Sequence, residues 1–171
     1  MRYFIILSFL IFSCTSDQIK ESNIDSKALD ILSQMSLDEK VGQMAQINLT
    51  VIAKGPTKWS SSFPLEIDPK KTRKALVDFK VGSVLNTINN TAQKPETWFK
   101  TISEIQKYSM DSTRMGIPII YGIDAIHGTT YTDGATMFPQ QITTAASWNE
   151  ENAYNMALVC AYETRASGIP W

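Results

Sequence analysis

The segment GIPIIYGIDAIHGTTYT, residues 116–132, contains the stretch that decides the fold. Residues 117–123 form a nearly continuous apolar run, which is typical of a parallel strand that is covered on both faces. Pro118 is tolerated there because it lies near the start of the run. Asp124 is the first charged residue after the run. We therefore expect Asp124 at the carboxyl end of a buried strand.

Other apolar runs and helical periodicities alternate around this segment. Two shorter runs upstream, residues 44–49 and 81–85, are predicted as strands, and 169–171 begins what reads as a fourth. The first predicted helix spans residues 28–35, and the capping box of Ser36 and Glu39 opens a second, short one. A third is predicted over 69–79, with Pro69 in its first turn, and a fourth runs from Pro95 and ends before Gly116. The last begins after the cap Asn149 and runs to about Ala166, where Gly168 closes it.

Strands that alternate with helices in this way predict parallel βα units, with ligands bound where the carboxyl ends of the strands meet the loops. The fold class is therefore α/β, and the order of elements matches the N-terminal half of an eight-stranded (β/α)8 TIM-type barrel. The sequence halts as a strand begins, so we expect a truncated barrel. The alternative is a small open sheet of four strands, which would leave edge groups unpaired.

Composition narrows the range of functions. The 171 residues are 43% hydrophobic and 19% charged, as in an ordinary globular chain, and the formal net charge is −1. Without a basic surplus, nucleic acid is not an expected partner. His127 is the single histidine, so no cluster with metal-ligand spacing can be assembled, and no cofactor is implied.

The N-terminus has the pattern of an exported protein. Residues 1–13 combine Arg2 with an apolar run that is too short to span a bilayer, which predicts a signal peptide. Ser13-Cys14 resembles the end of a bacterial lipobox, so Cys14 is the predicted site of lipid attachment, with plain secretion as the alternative. Residues 14–24 are predicted to be a polar tether, and folding is expected to start near Asp25.

Asp124 is the candidate binding residue. A carboxylate at a strand end can accept hydrogen bonds from two neighbouring hydroxyls, which suits a sugar ring. From the local pattern alone, an equal alternative is that Asp124 caps the following turn. His127 could act as a base, although a lone histidine more often makes structural hydrogen bonds. Cys160, the thiol that would remain after lipidation, reads as a small buried hydrophobe on a helix.

Several longer segments occur in a fixed order: MSLDEKVGQM (35–44), GSVL (82–85), YGIDAIHG (121–128), GATMFPQ (134–140), WN (148–149) and AYETRASGIPW (161–171). Together they resemble the barrel domain of glycoside hydrolase family 3, in its β-glucosidase branch, over roughly residues 25–171. The resemblance implies that Asp124 is the aspartate that holds hydroxyls of the sugar just before the cleaved bond. It assigns no contact to His127, which we expect to be a structural residue. Glu163 and Arg165 are expected to fix their helix against the barrel.

Members of that family are retaining enzymes, in which one carboxylate attacks the sugar and a second protonates the leaving oxygen. Both carboxylates would lie beyond Trp171, so the resemblance implies no catalytic residue in this chain and an inactive fragment. The implied parent releases terminal glucose from β-linked oligosaccharides or glucosides. It would be a bacterial periplasmic or outer-membrane lipoprotein, attached to the membrane through its lipid. Residues 86–95 and 129–136 are expected to shape the mouth of the pocket.

Three alternatives remain open at this stage. A non-catalytic sugar-binding lipoprotein would keep Asp124 and lack the two carboxylates. A structural cell-wall lipoprotein would need neither. A relative that acts on amino sugars would belong to the same family, although the segments quoted above resemble the β-glucosidase branch better.

Overall fold

The computed structural model describes residues 23–57 and 59–171. The predicted signal peptide, residues 1–13, and the predicted lipid attachment site, Cys14, lie outside these residues.

The chain divides into two units, one that ends at Gln34 and one that spans Met35–Trp171. The described part of the first unit is helix α1 (Asn23–Gln34), which begins two residues before the expected start of the folded body. Leu29 and Leu32 on this helix are about half exposed.

The second unit is built on a parallel sheet of three strands. These are β1 (Gln46–Asn48), β2 (Ser83–Leu85) and β3 (Ile120–Gly122), in the spatial order β1-β2-β3. Ile47, Val84 and Tyr121 lie side by side across the sheet. The predicted parallel βα arrangement is therefore confirmed for these three strands.

Helices flank the strands at the predicted places, apart from one short helix at residues 141–145 that was not predicted. They are α2 (Leu37–Gln43), α3 (Pro69–Arg73) with a π-helical turn over Lys74–Asp78, α4 (Pro95–Ser112), α5 (Gln141–Ala145) and α6 (Glu150–Ala166). A 3-10 turn, Leu49–Val51, follows β1. In the part of the chain that the structure describes, none of the helices combines the length and apolarity of a membrane span.

The strands are shorter than predicted, and β3 shows why. Residues 117–119 belong to the apolar run but not to the strand. The side-chain amide of Gln106 on α4 donates to the Ile119 carbonyl (2.8 Å) and accepts from the Ile119 N–H (2.9 Å). The side chain of Gln106 thus takes up the N–H and carbonyl of Ile119, which would otherwise bind a neighbouring strand. The strand therefore begins only at Ile120.

The predicted start of a fourth strand at residues 169–171 does not form a strand, but these residues contact the core and the end of β3. Ile169 is fully buried in the core, and the Ile123 N–H donates to the Trp171 carbonyl (2.9 Å). Ile169–Trp171 is not a strand in the structure, so the sheet of the described residues has three strands. Gly122 allows this approach, because a Cβ there would lie 2.5 Å from the Trp171 ring.

The connection from β3 to α6 folds back onto α6. The Thr129 hydroxyl lies 2.7 Å from that of Thr164, and the Thr132 hydroxyl lies 2.9 Å from that of Ser167. All four residues are buried. The expectation that residues 129–136 shape a pocket mouth is therefore wrong for Thr129 and Thr132, whose side chains pack the helix against the loop.

Two glycines in this connection have the left-handed backbone that side chains rarely adopt, with φ of 84° at Gly128 and 82° at Gly134. A Cβ at Gly128 would collide with the Thr136 carbonyl oxygen, whereas a Cβ at Gly134 would meet nothing within 4 Å. The two positions therefore share the conformational cost of a side chain and differ in the available space.

We predict that Gly128→Ala destabilises the protein by about 3 kcal/mol or more, because backbone strain and the collision act together. Gly134→Ala is the matched control and should cost only about 1 to 2 kcal/mol of strain. Urea unfolding followed by circular dichroism would measure both. Equal losses for the two variants would contradict the packing of residues 128–136.

Glu39 joins two helices. Its carboxylate accepts from the Ser36 N–H (2.8 Å) and completes the predicted capping box of α2. It also binds Arg114, beyond the end of α4, with a distance of 3.0 Å from Arg114 Nε to Oε1. Glu39 is 8% exposed. The hydrogen bond from Arg114 and the Ser36 N–H lower the pKa of Glu39 from 4.5 to about 2.

Because the folded state lowers this pKa, the Glu39 interactions stabilise the fold above about pH 4.5 and are lost as the pH falls towards 2. We predict that Glu39→Gln lowers the urea midpoint near neutral pH and that the difference from wild type shrinks over this range. Glu66→Gln, which breaks the half-exposed pair with Lys54, is the control and should have little effect. A constant difference for Glu39→Gln at all pH values would contradict the prediction.

Candidate functional site

Polar side chains follow all three strands at their carboxyl ends. Asn48 ends β1, Asn86 follows β2 directly, and Asp124 lies two residues after β3. Parallel strands end at the same edge of a sheet, so the three residues belong to one polar edge. Asp124 is exposed, which places the predicted binding residue at the end of the strand and open to solvent.

Asn86 and Asp124 form a two-point contact across the ends of β2 and β3. Asn86 Nδ2 donates to Asp124 Oδ2 (2.8 Å), and Asn86 Oδ1 accepts from the Asp124 backbone N–H (2.9 Å). One amide therefore fixes both the backbone and the side chain of Asp124. The alternative that Asp124 caps its own following turn receives no support from these contacts.

Asn86 is itself held by β3. Its backbone N–H donates to the Gly122 carbonyl (2.8 Å), and its carbonyl accepts from the Tyr121 hydroxyl (2.6 Å). Its φ of 65° is the left-handed conformation that asparagine tolerates better than most residues. Burial raises the pKa of Tyr121, so this phenol remains a hydrogen-bond donor throughout the physiological range.

The sequence did not indicate Asn86. Like Asp124, Asn86 is the first polar residue after a predicted strand, and this position could have identified it. However, an asparagine followed by Thr87 and two further asparagines is typical of an ordinary turn. The contact between the two residues spans 38 positions of the chain.

The loops around the polar edge are joined to one another. Asn89, in the loop after β2, exchanges hydrogen bonds with the backbone of Ser61, with distances of 2.8 and 3.2 Å. The buried Gln93 binds the later connection, where its N–H donates to the Tyr131 carbonyl (2.9 Å). Hydrogen bonds thus join three loops to one another.

His127 makes structural contacts. Its Nδ1 lies 3.3 Å from the Phe138 carbonyl, and its own carbonyl accepts from the Phe138 N–H (2.8 Å). Both contacts close the loop that contains Gly128. Cys160 lies on α6 as expected and is half-buried, with its Sγ 3.7 Å from the Ala125 carbonyl.

Glu163 and Arg165 each hold a neighbouring loop against α6. Glu163 accepts from the N–H and the hydroxyl of Thr136, at 2.9 and 2.8 Å. Arg165 donates to the Pro170 carbonyl (3.3 Å). Glu163 therefore holds α6 through its hydrogen bonds with a threonine of the loop after β3.

An apolar cavity of about 510 Å³ lies beside the end of β3, between that strand and α6, and its lining includes Ile123, Ala125, Met156 and Trp171. Its lining is mostly apolar, in contrast to the polar edge at Asp124. Within residues 23–57 and 59–171, no three His, Cys, Asp or Glu side chains group together in a way that could hold a metal ion.

Chemically, the polar edge presents an oriented carboxylate. Asp124 can accept hydrogen bonds from hydroxyl groups of a ligand, and such charge-assisted bonds are stronger than neutral ones. The amide of Asn86 restrains the carboxylate before any ligand arrives. This arrangement is suited to binding a polyhydroxylated molecule.

Comparisons with known proteins point to one family. The family model described as the glycosyl hydrolase family 3 N terminal domain matches residues 36–171. The chain is 30% identical to the lysosomal beta glucosidase of Dictyostelium discoideum over 90% of its length, and 28% identical to the periplasmic beta-glucosidase of Salmonella typhimurium over 85%.

A solved structure has a similar fold over most of this chain. The exo-1,3/1,4-beta-glucanase from a Pseudoalteromonas species superimposes with a TM-score of 0.66 and 28% identity, over 86% of this chain and 17% of that one. The chain spans 20% and 15% of the lengths of the two beta-glucosidases. The family match covers the sheet, Asp124 and α6, and the chain therefore belongs to glycosyl hydrolase family 3, as part of its N-terminal domain.

Proposed function

We propose that this chain is part of a retaining, exo-acting β-glucosidase that releases terminal glucose from β-linked oligosaccharides or glucosides. In this proposal Asp124 binds hydroxyls of the sugar just before the cleaved bond. The observation that carries the proposal is the exposed Asp124 carboxylate, which Asn86 orients at the carboxyl end of β3. Family membership and the names of the two relatives support the same substrate class.

We further propose that the sheet is the first part of an eight-stranded barrel. Three parallel strands in sequential order, each connected through a helix, are the repeating unit of such a barrel. The bond from Ile123 to Trp171 adds support, because it places the chain after α6 beside β3, where the next strand would lie.

Retention of configuration requires two carboxylates about 5 Å apart, one as nucleophile and one as acid and base. We propose that both belong to parts of the protein outside residues 1–171. Asp124 would then bind and orient the sugar without taking part in bond cleavage, and no cofactor enters the reaction. Residues 1–171 without those carboxylates should not hydrolyse glycosides.

Binding without hydrolysis is the second candidate function. A sugar-binding lipoprotein would use the same polar edge at Asp124 and would need no further carboxylates. The two candidates differ in turnover, because a binding protein would retain glucose without cleaving a glucoside.

The protein that the gene encodes in full length should hydrolyse p-nitrophenyl β-glucoside, and Asp124→Ala should lower its kcat/KM by about 100-fold or more, because bound hydroxyls lose a charged acceptor. Asp111→Ala is the control: it removes the same charge from an exposed position in the last turn of α4, and it should leave kcat/KM unchanged.

Unchanged kinetics for Asp124→Ala would remove Asp124 from substrate binding. A folded full-length protein that binds glucose but shows no turnover would favour the binding function. Sequencing the DNA beyond codon 171 identifies the protein to be expressed for this assay.

We also propose that the protein is exported and anchored to a bacterial membrane through a lipid on Cys14, after removal of residues 1–13. The support is the N-terminal sequence pattern, together with a periplasmic relative. Labelled palmitate should be incorporated into the wild-type protein and not into the Cys14→Ser variant. Equal labelling of both would exclude Cys14 as the attachment site.

A further inference from the structure

The contact between Asn86 and Asp124 has a use beyond holding two strand ends together. We propose that Asn86 is a positioning residue for sugar recognition, which acts by orienting the Asp124 carboxylate towards the sugar. This inference rests on the proposed function, because it assigns a role within the same site.

The chemistry of the contact fixes the orientation of the Asn86 amide. The Asp124 backbone N–H can only donate, so the atom that faces it at 2.9 Å must be the amide oxygen. The amide nitrogen then faces Asp124 Oδ2 at 2.8 Å and donates to it. Each half of the amide thus meets its complement.

This contact leaves part of the carboxylate for a ligand. Asn86 engages Oδ2, while Oδ1 makes no hydrogen bond with any residue in the described ranges, and Asp124 is exposed. A carboxylate has about four acceptor positions, of which Asn86 uses one. Fixing the plane of the carboxylate in advance reduces the entropy that is lost when sugar hydroxyls bind.

The position of Asn86 is fixed by groups that do not depend on its side chain. Its N–H and carbonyl are bound by Gly122 and by the buried Tyr121, and its φ of 65° is compatible with glycine. Asn86→Gly should therefore keep the turn and lose only the amide. Asn86→Asp keeps the shape of the side chain but places a second carboxylate opposite that of Asp124.

The experiment compares kcat/KM for p-nitrophenyl β-glucoside in the full-length protein and its variants. We expect Asn86→Gly to lower kcat/KM about tenfold, the size of one lost hydrogen bond to a charged group. In the Asp124→Ala background the same change should have less than about a twofold effect, because the group that Asn86 orients is absent.

Asn86→Asp provides a second readout. At neutral pH it should lower kcat/KM more than Asn86→Gly does, because two carboxylates repel each other. When they share a proton at lower pH, the added acid can donate to Asp124 as the amide did. The ratio of its kcat/KM to that of the wild type should therefore rise as the pH falls, while the ratio for Asn86→Gly stays constant.

The outcomes separate the two proposals. The wild-type rate tests the proposed function, and a folded, inactive wild type would overturn that function and with it this role of Asn86. If the wild type is active, equal effects of Asn86→Gly in the presence and absence of Asp124 would assign Asn86 to folding alone. Wild-type kinetics for Asn86→Asp would likewise overturn the proposal.

Discussion

The buried side chain of Tyr121 connects the apolar core with the polar edge of the sheet. Its ring packs edge-on against Trp98 of α4, with 5.7 Å between ring centroids, and both residues are fully buried. Its hydroxyl reaches the backbone of Asn86, and Asn86 orients Asp124. Trp98 in turn donates to the Tyr131 carbonyl (3.0 Å), so the same contact secures the loop after β3. Packing in the core thus determines the position of an exposed carboxylate.

The elements that local sequence rules govern could be predicted. The capping box of Ser36 and Glu39, Pro69 in a first turn and the Asn149 cap of α6 all occur as expected. The short helix α5 could not be predicted, because its sequence QITTA contains three β-branched residues and its cap, Gln140, makes no side-chain hydrogen bond. Its helical state depends on tertiary contacts.

The candidate site could be predicted only in part. The position of Asp124 at a strand end was predicted because it ends an apolar run, which is a local signal, whereas its role in binding was expected from the resemblance to the family. Its partner Asn86 was not identified, because the pairing joins residues that only the parallel register of β2 and β3 brings together. Thr129 and Thr132 were expected at a pocket mouth for the same reason: a loop after a strand gives no local indication that it folds back onto α6.

The amide of Gln106 has a consequence for the side chains of β3. Successive residues of a strand point to opposite faces, so sliding β3 by one position would turn Tyr121 outwards and bring Ile120, which is 56% exposed, into the core. Gln106 recognises both polar groups of a single peptide residue, Ile119, immediately before the strand. It therefore fixes the register of β3 relative to α4, and this register keeps the side chain of Tyr121 in the core.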